Sequence, residues 1–147
     1  MLPELQVVPM REIDTVAGGT AAFGIVDTKG YDYAKLIYIT AKATAASSQD
    51  ALNLAEDDTL ATAFTDATAV DGFDGTADYD IVAESTSYSN AYVFNVDLKG
   101  RKRYLAMTYE SDATHSGCMV AILGRKADGV EETVATTAHG TRNIVNG

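Results

Sequence analysis

Few side chains in this sequence have the types and spacing that chemistry demands. His115 and His139 are the two histidines and Cys118 the one cysteine. A Ser-His-Asp triad needs a histidine held between a nucleophile and an acid, and both histidines sit in Gly/Ser/Thr-rich surroundings. Cys118 opens the apolar run Cys118-Met119-Val120-Ala121-Ile122-Leu123, the setting of a small buried hydrophobe rather than a thiolate. One cysteine forms neither an intrachain disulfide nor a cysteine-based zinc site, and two histidines exclude a His-rich metal site. Paired carboxylates of the glycosidase kind need one acid desolvated in a cleft, whereas most acids here fall in polar stretches. Asp71, Asp74, Asp78 and Asp80 have a calcium-binding composition without the EF-hand order of ligands, and read as a solvated acidic loop. Neither phosphate-loop nor dinucleotide glycines occur, and HExxH and GxSxG are absent. The expectation is a protein that is not an enzyme, with no catalytic, cofactor-binding or metal-ligating residues and no cofactor.

Charge is the sharper signal. The 147 residues carry a formal net charge of −10, with 21 acids against 11 bases. Nucleic-acid binders release counterions with Lys and Arg, and anionic membranes attract the same residues, so neither partner is expected. From Ala46 to Asn90 there is no Lys or Arg, while Lys99, Arg101, Lys102 and Arg103 crowd one turn. Such a knot is either a solvated turn paired with nearby acids or an electrostatic docking point for another subunit; a phosphate site ranks third.

The elements that must position these groups are strands. Thr20 to Thr28 alternates, with Ala21, Phe23, Ile25 and Asp27 on one face and Gly24 and Val26 on the other. Ala34 to Thr44 is rich in β-branched and aromatic residues; Ile37, Ile39 and Ala41 are expected in the core, with Leu36, Tyr38 and Thr40 outside. Residues 50–70 fit a short helix capped by Asp50 or a strand through Leu52 and Leu54. Phe64 to Val70 and Tyr79 to Ala83 read as further strands, with Asp71-Gly72-Phe73-Asp74-Gly75 as turns between them. Ala91 to Leu98, Arg103 to Glu110 and Cys118 to Leu123 are the strongest strands after that. His115-Ser116-Gly117 is expected as a loop, and Val130 to Thr137 as an edge strand. About eight short strands between turn signals predict an all-β, antiparallel β-sandwich, jelly-roll-like, or a small barrel. The domain is expected over 20–137, between an N-terminal arm (1–19) and a C-terminal arm (138–147). With 46% apolar residues it can bury a core without a staple. No basic leader or apolar stretch of membrane-spanning length is visible, which points to synthesis in a cytoplasm.

The run Val96-Asp97-Leu98-Lys99-Gly100-Arg101-Lys102-Arg103-Tyr104-Leu105 resembles the core motif of small head-decoration (cement) proteins of tailed bacteriophages. Val26-Asp27-Thr28-Lys29-Gly30-Tyr31-Asp32 resembles their early turn, Leu54-Ala55-Glu56-Asp57-Asp58 their acidic segment, and Val120-Ala121-Ile122-Leu123-Gly124-Arg125 their last core strand. Together these pieces span roughly residues 20–127 and leave both arms uncovered. The resemblance implies a β-sandwich, often jelly-roll-like, on the exterior of the virion capsid. There it would bind the major capsid protein and itself, most often as a homotrimer, sometimes as a dimer, and reinforce joints between capsomers. An acidic surface suits a crowded coat outside the DNA. The expected contact residues are Leu2, Leu5 and Val7 in the first arm, Ile144 and Val145 in the last, and Lys99, Arg101, Lys102 and Arg103 in the basic turn. The alternative is a carbohydrate-binding β-sandwich of a phage virion, using some of the eight tyrosines as sugar platforms; the lack of tryptophan counts against it. A small hydrolase built on His115 is a third.

Overall fold

A computed structural model describes residues 5–43, 48–60, 67–75 and 77–125, and the backbone of 141–146. Among these there is no α-helix, and nine strands form two sheets. The first sheet holds β1 (Leu5–Val16), β3 (Tyr33–Thr40), β6 (Ala91–Asp97), β8 (His115–Gly124) and β9 (Thr141–Asn146), in the order β1-β8-β3-β6-β9. The second holds β2 (Ala22–Asp27), β4 (Gln49–Asp57), β5 (Thr68–Asp74) and β7 (Tyr104–Ser111), in the order β2-β7-β4-β5. Every pairing is antiparallel except that of β9 with β6, which is parallel. The expected β-sandwich is therefore present.

The sheets meet through aromatic side chains. Tyr38 of β3 stacks at a tilt on Tyr109 of β7, ring centroids 4.3 Å apart, and Phe94 of β6 meets Phe73 of β5 edge to face at 5.1 Å. Leu36, Leu52, Leu54, Leu105, Met107, Met119 and Leu123 fill the space between them. In β2, β3 and β8 inward and outward residues alternate, as the pleat requires.

In β3 the two faces are the reverse of the expectation. Ala34, Leu36, Tyr38 and Thr40 are buried, whereas Ile37 is half-buried and Ile39 is 42% exposed. Both faces of this strand are apolar, so hydrophobicity alone could not choose between them. Register chose: Leu36 pairs with Ala121 and Tyr38 with Met119, and a one-residue slip would turn every one of these away from the second sheet. The long Tyr38 ring, unlike Ile37, reaches across to Tyr109.

The arms also differ from the expectation. Residues 5–16 are an integral strand, paired to β8 from Leu5↔Gly124 to Val16↔His115. Pro9 is tolerated because β1 is an edge strand, with register shifts on either side of Arg11. The backbone of Thr141–Asn146 pairs with β6, so this part of the last segment is also a strand.

Residues 50–57 take the strand alternative, with Leu52 and Leu54 buried. The Asp71-Gly72-Phe73 turn signal is instead a bulge inside β5. Gly72 has φ +83°, and the short stretch Asn53 to Ala55 of β4 faces the longer stretch from Asp74 back to Ala69. This irregularity lets Val70 and Phe73, three apart, both point inward. Tyr79 to Ala83 form no strand; Tyr79 donates to the Leu52 carbonyl and packs edge-on to Phe94. His115-Ser116-Gly117 open β8 rather than forming a loop. The strands expected over Phe64 to Val70 and Val130 to Thr137 lie partly and wholly outside the described residues.

Candidate docking surface

The basic turn joins β6 to β7, and its two arginines pair with acids of the same chain. Two pentapeptides build matching turns at one end of the sandwich: Val26-Asp27-Thr28-Lys29-Gly30 and Val96-Asp97-Leu98-Lys99-Gly100. In each, the Asp Oδ1 accepts the Lys N–H at 3.0 Å. The glycine follows with φ +89° or +78°, and the chain closes by Tyr31 N–H to Thr28 O and Arg101 N–H to Leu98 O, both 3.1 Å. Only glycine enters that region without strain.

From this scaffold Arg103 donates two hydrogen bonds to Asp27, at 3.0 and 2.6 Å, and stacks over Tyr104. Arg101 lies 3.7 Å from Glu56. Glu56 and Asp58 accept the Lys102 and Arg103 backbone N–H groups, and Lys102 Nζ donates to Thr68 Oγ1 at 2.9 Å. The knot thus latches the β6–β7 turn onto β2, β4 and β5. The Arg103 hydrogen bonds hold the Asp27 carboxyl below the usual carboxylate range.

This latch contributes stability above the ordinary carboxylate range that is lost as pH falls through the depressed Asp27 value. Both side chains are 43% exposed, so Asp27→Asn should cost less than about 1 kcal/mol. The Asn Oδ1 can still accept the Lys29 N–H. Urea unfolding at low and high salt checks this, and a loss of several kcal/mol that salt does not reduce would contradict it.

The histidine reading finds no triad here. His115 is 3% exposed, edge-on to Tyr109 at 4.9 Å, with Nδ1 3.2 Å from the Ala113 carbonyl. His139 lies outside the described residues. Cys118 is half-buried. Among the described residues no three His, Cys, Asp or Glu side chains gather where one metal ion could be held; within the acidic loop, Asp78 instead accepts the Asp74 N–H at 2.9 Å. Tyr109 donates to the buried Glu84 carboxylate at 2.8 Å, a polar link closed within the core.

The feature that sequence reasoning missed is the outer face of the first sheet. Outward side chains line up across four strands: Val7, Ile122, Lys35 and Asn95 in one row; Pro9, Val120, Ile37 and Val93 in the next; then Cys118, Ile39 and Ala91. On β6, Val93 and Asn95 are buried, so the accessible part of this face lies over β1, β8 and β3. Leu5 and Val7, two of the expected contact residues, lie on this face and are 60% and 65% exposed. Asp97 lies at one end of this face beside Tyr33, and the exposed Glu12 and Ile13 occupy the register gap of β1 opposite Cys118. The second sheet's outer face is more polar, carrying Asp27, Asp57, Glu110, Asn53 and Thr108 beside Phe23, Ile25 and Tyr104. The signal was present in the uninterrupted apolar runs of β3, β6 and β8, which read as strands covered on both sides. Of the other expected contact residues, Leu2 lies outside the described residues. Ile144 and Val145 are on β9, where the Val145 backbone pairs with Phe94.

Comparison of the chain with known protein families, with curated proteins and with solved structures finds no match.

Proposed function

We propose that this chain is a non-catalytic structural subunit that decorates the exterior of a tailed-bacteriophage head, binding the major capsid protein and bracing contacts between capsomers. The observation that carries the reading is the apolar outer face of the first sheet on a chain of net charge −10. A contiguous apolar face of this kind marks a protein–protein contact. The motif resemblance around Asp97 to Leu105 supplies the virion context.

We read the sandwich as a jelly roll. The order β1-β8-β3-β6 opposite β2-β7-β4-β5 is that of eight strands wound as two Greek keys, an architecture found in viral capsid and lectin domains. The carbohydrate alternative draws less support, because Tyr38, Tyr92 and Tyr109 are spent on the core.

The test uses empty heads of the phage that encodes the chain, prepared without this protein. On mixing, the chain should sediment with the heads to a saturable ratio and raise their resistance to heat. A folded chain that stays in the supernatant while heads melt unchanged contradicts the proposal.

A further inference from the structure

We infer that the chain cross-links itself: the Ser111 hydroxyl attacks the Gln49 side chain, forming an ester between β7 and β4 and releasing ammonia. The chain is its own single-use substrate, so the inference stands apart from the decoration role and fails apart from it.

A bulge sets up the pair. Leu52 lies opposite Tyr109 with both side chains inward, and Ala51 lies opposite Glu110. Asp50 is then the extra residue, so that Gln49 comes opposite Ser111. Without it the alternation of the strand would leave Gln49 facing out; bulges re-aim side chains in this way. Ser111 is fully buried, and Gln49 reaches the core, where its Oε1 lies 2.6 Å from the hydroxyl of the buried Tyr92. Side chains directly opposite across a ladder have Cβ atoms about 5 Å apart, a gap that a serine hydroxyl and a glutamine carboxamide span together.

The surroundings suit the reaction. Gln49 Nε2, the leaving nitrogen, is buried without a hydrogen-bond partner among the described residues, so its departure breaks no hydrogen bond. The Tyr92 O–H, shared with the Val82 carbonyl at 2.9 Å, is placed to donate to Oε1 as negative charge develops there. The short connection from β7 to β8 brings His115 of the other sheet to the same corner, with its side chain buried. His115 Nδ1 lies 3.2 Å from the Ala113 carbonyl. A carbonyl only accepts, so the neutral ring carries its proton on Nδ1 and a lone pair on Nε2. That Nε2 is also buried and unpartnered among the described residues.

The step balances. Ser111 Oγ turns from the Ser48 carbonyl, 3.1 Å away, and bonds to Gln49 Cδ while His115 Nε2 takes its proton. The Cδ–Nε2 bond of Gln49 then breaks, the departing nitrogen takes that proton, and ammonia leaves. Nothing is oxidised or reduced, and the ester fixes β4 to β7 at one end of the second sheet.

Mass spectrometry of the denatured full chain, after the folded protein has stood, tests this. Wild type should fall about 17 Da, one ammonia, short of its sequence mass, and trypsin should leave 43–99 joined to 104–125. Ser111→Thr should keep the link, whereas Ser111→Ala and Gln49→Met should carry their full mass. His115→Phe, with native circular dichroism, should link at least about tenfold more slowly. Full mass in wild type overturns the inference. So does a deficit confined to 143–147, where Asn146-Gly147 can close on itself. A Ser111→Ala variant that still joins these peptides, or a folded His115→Phe variant that links as fast as wild type, overturns it as well.

Discussion

Above about pH 10 the protein should lose roughly 4 kcal/mol of stability per pH unit and unfold in one steep step. Three tyrosines produce this. Burial, above all, pushes the phenols of Tyr38, Tyr79 and Tyr109 far above their ordinary range. Tyr109 is held further by donating its proton to Glu84. These groups stay protonated in the folded chain and ionise near 10 once it unfolds. The stability they confer is thus complete below the unfolded value and is lost as pH rises beyond it. Each contributes about 1.4 kcal/mol per pH unit, against a total of about 5–15 kcal/mol for a domain of this size. An alkaline titration following tyrosinate absorbance and far-ultraviolet circular dichroism together checks the expectation. Both signals should change in one transition. If all eight tyrosines ionise at ordinary pH while the dichroism stays native, the aromatic seam between the sheets is wrong.

Replacing Phe94 by Ala should cost about 3–5 kcal/mol and lower the melting temperature by about 10 °C or more. Phe94 is fully buried on β6. Its ring takes Phe73 of the opposite sheet at 79° and Tyr79 of the covering segment at 69°. Each edge-to-face pair adds about 0.5–1.5 kcal/mol beyond the area it buries. Truncation removes both pairs and leaves a cavity that β-strands fixed by their ladders cannot close. Urea unfolding should show a lower midpoint with an unchanged slope. A loss below about 1 kcal/mol would mean that Phe94 does not join the two sheets.

The strands most legible in the sequence were those with both β-branched residues and glycine stops. β2, β6 and β7 fall where alternation placed them, and the Lys-Gly turns at 29–30 and 99–100 carry the positive φ their glycines announced. What could not be read had physical reasons. The direction of β3 depended on Met119 and Ala121, more than seventy residues away in sequence, because both of its faces are apolar. β1 looked like an arm because Pro9 and the charged stretch Arg11 to Asp14 are poor strand formers, yet an edge strand needs only one set of ladder bonds. Gly72 looked like a turn because a bulge and a turn use the same left-handed glycine. The partners of the basic turn, Asp27, Glu56 and Asp58, could not be read because they are distant from it in sequence. The same ambiguity that hid the direction of β3 hid the outer face, since residues expected in the core, Ile37 and Ile39, are the ones that form it.

The most direct test of the account is electron cryomicroscopy of the phage's heads with and without this chain. The difference density is predicted on the outer surface, at joints between capsomers. It should fit the two-sheet sandwich, with the face bearing Val7, Val120 and Ile37 turned towards the coat. Identical maps from the two preparations, or density that leaves this face open to solvent, would contradict it.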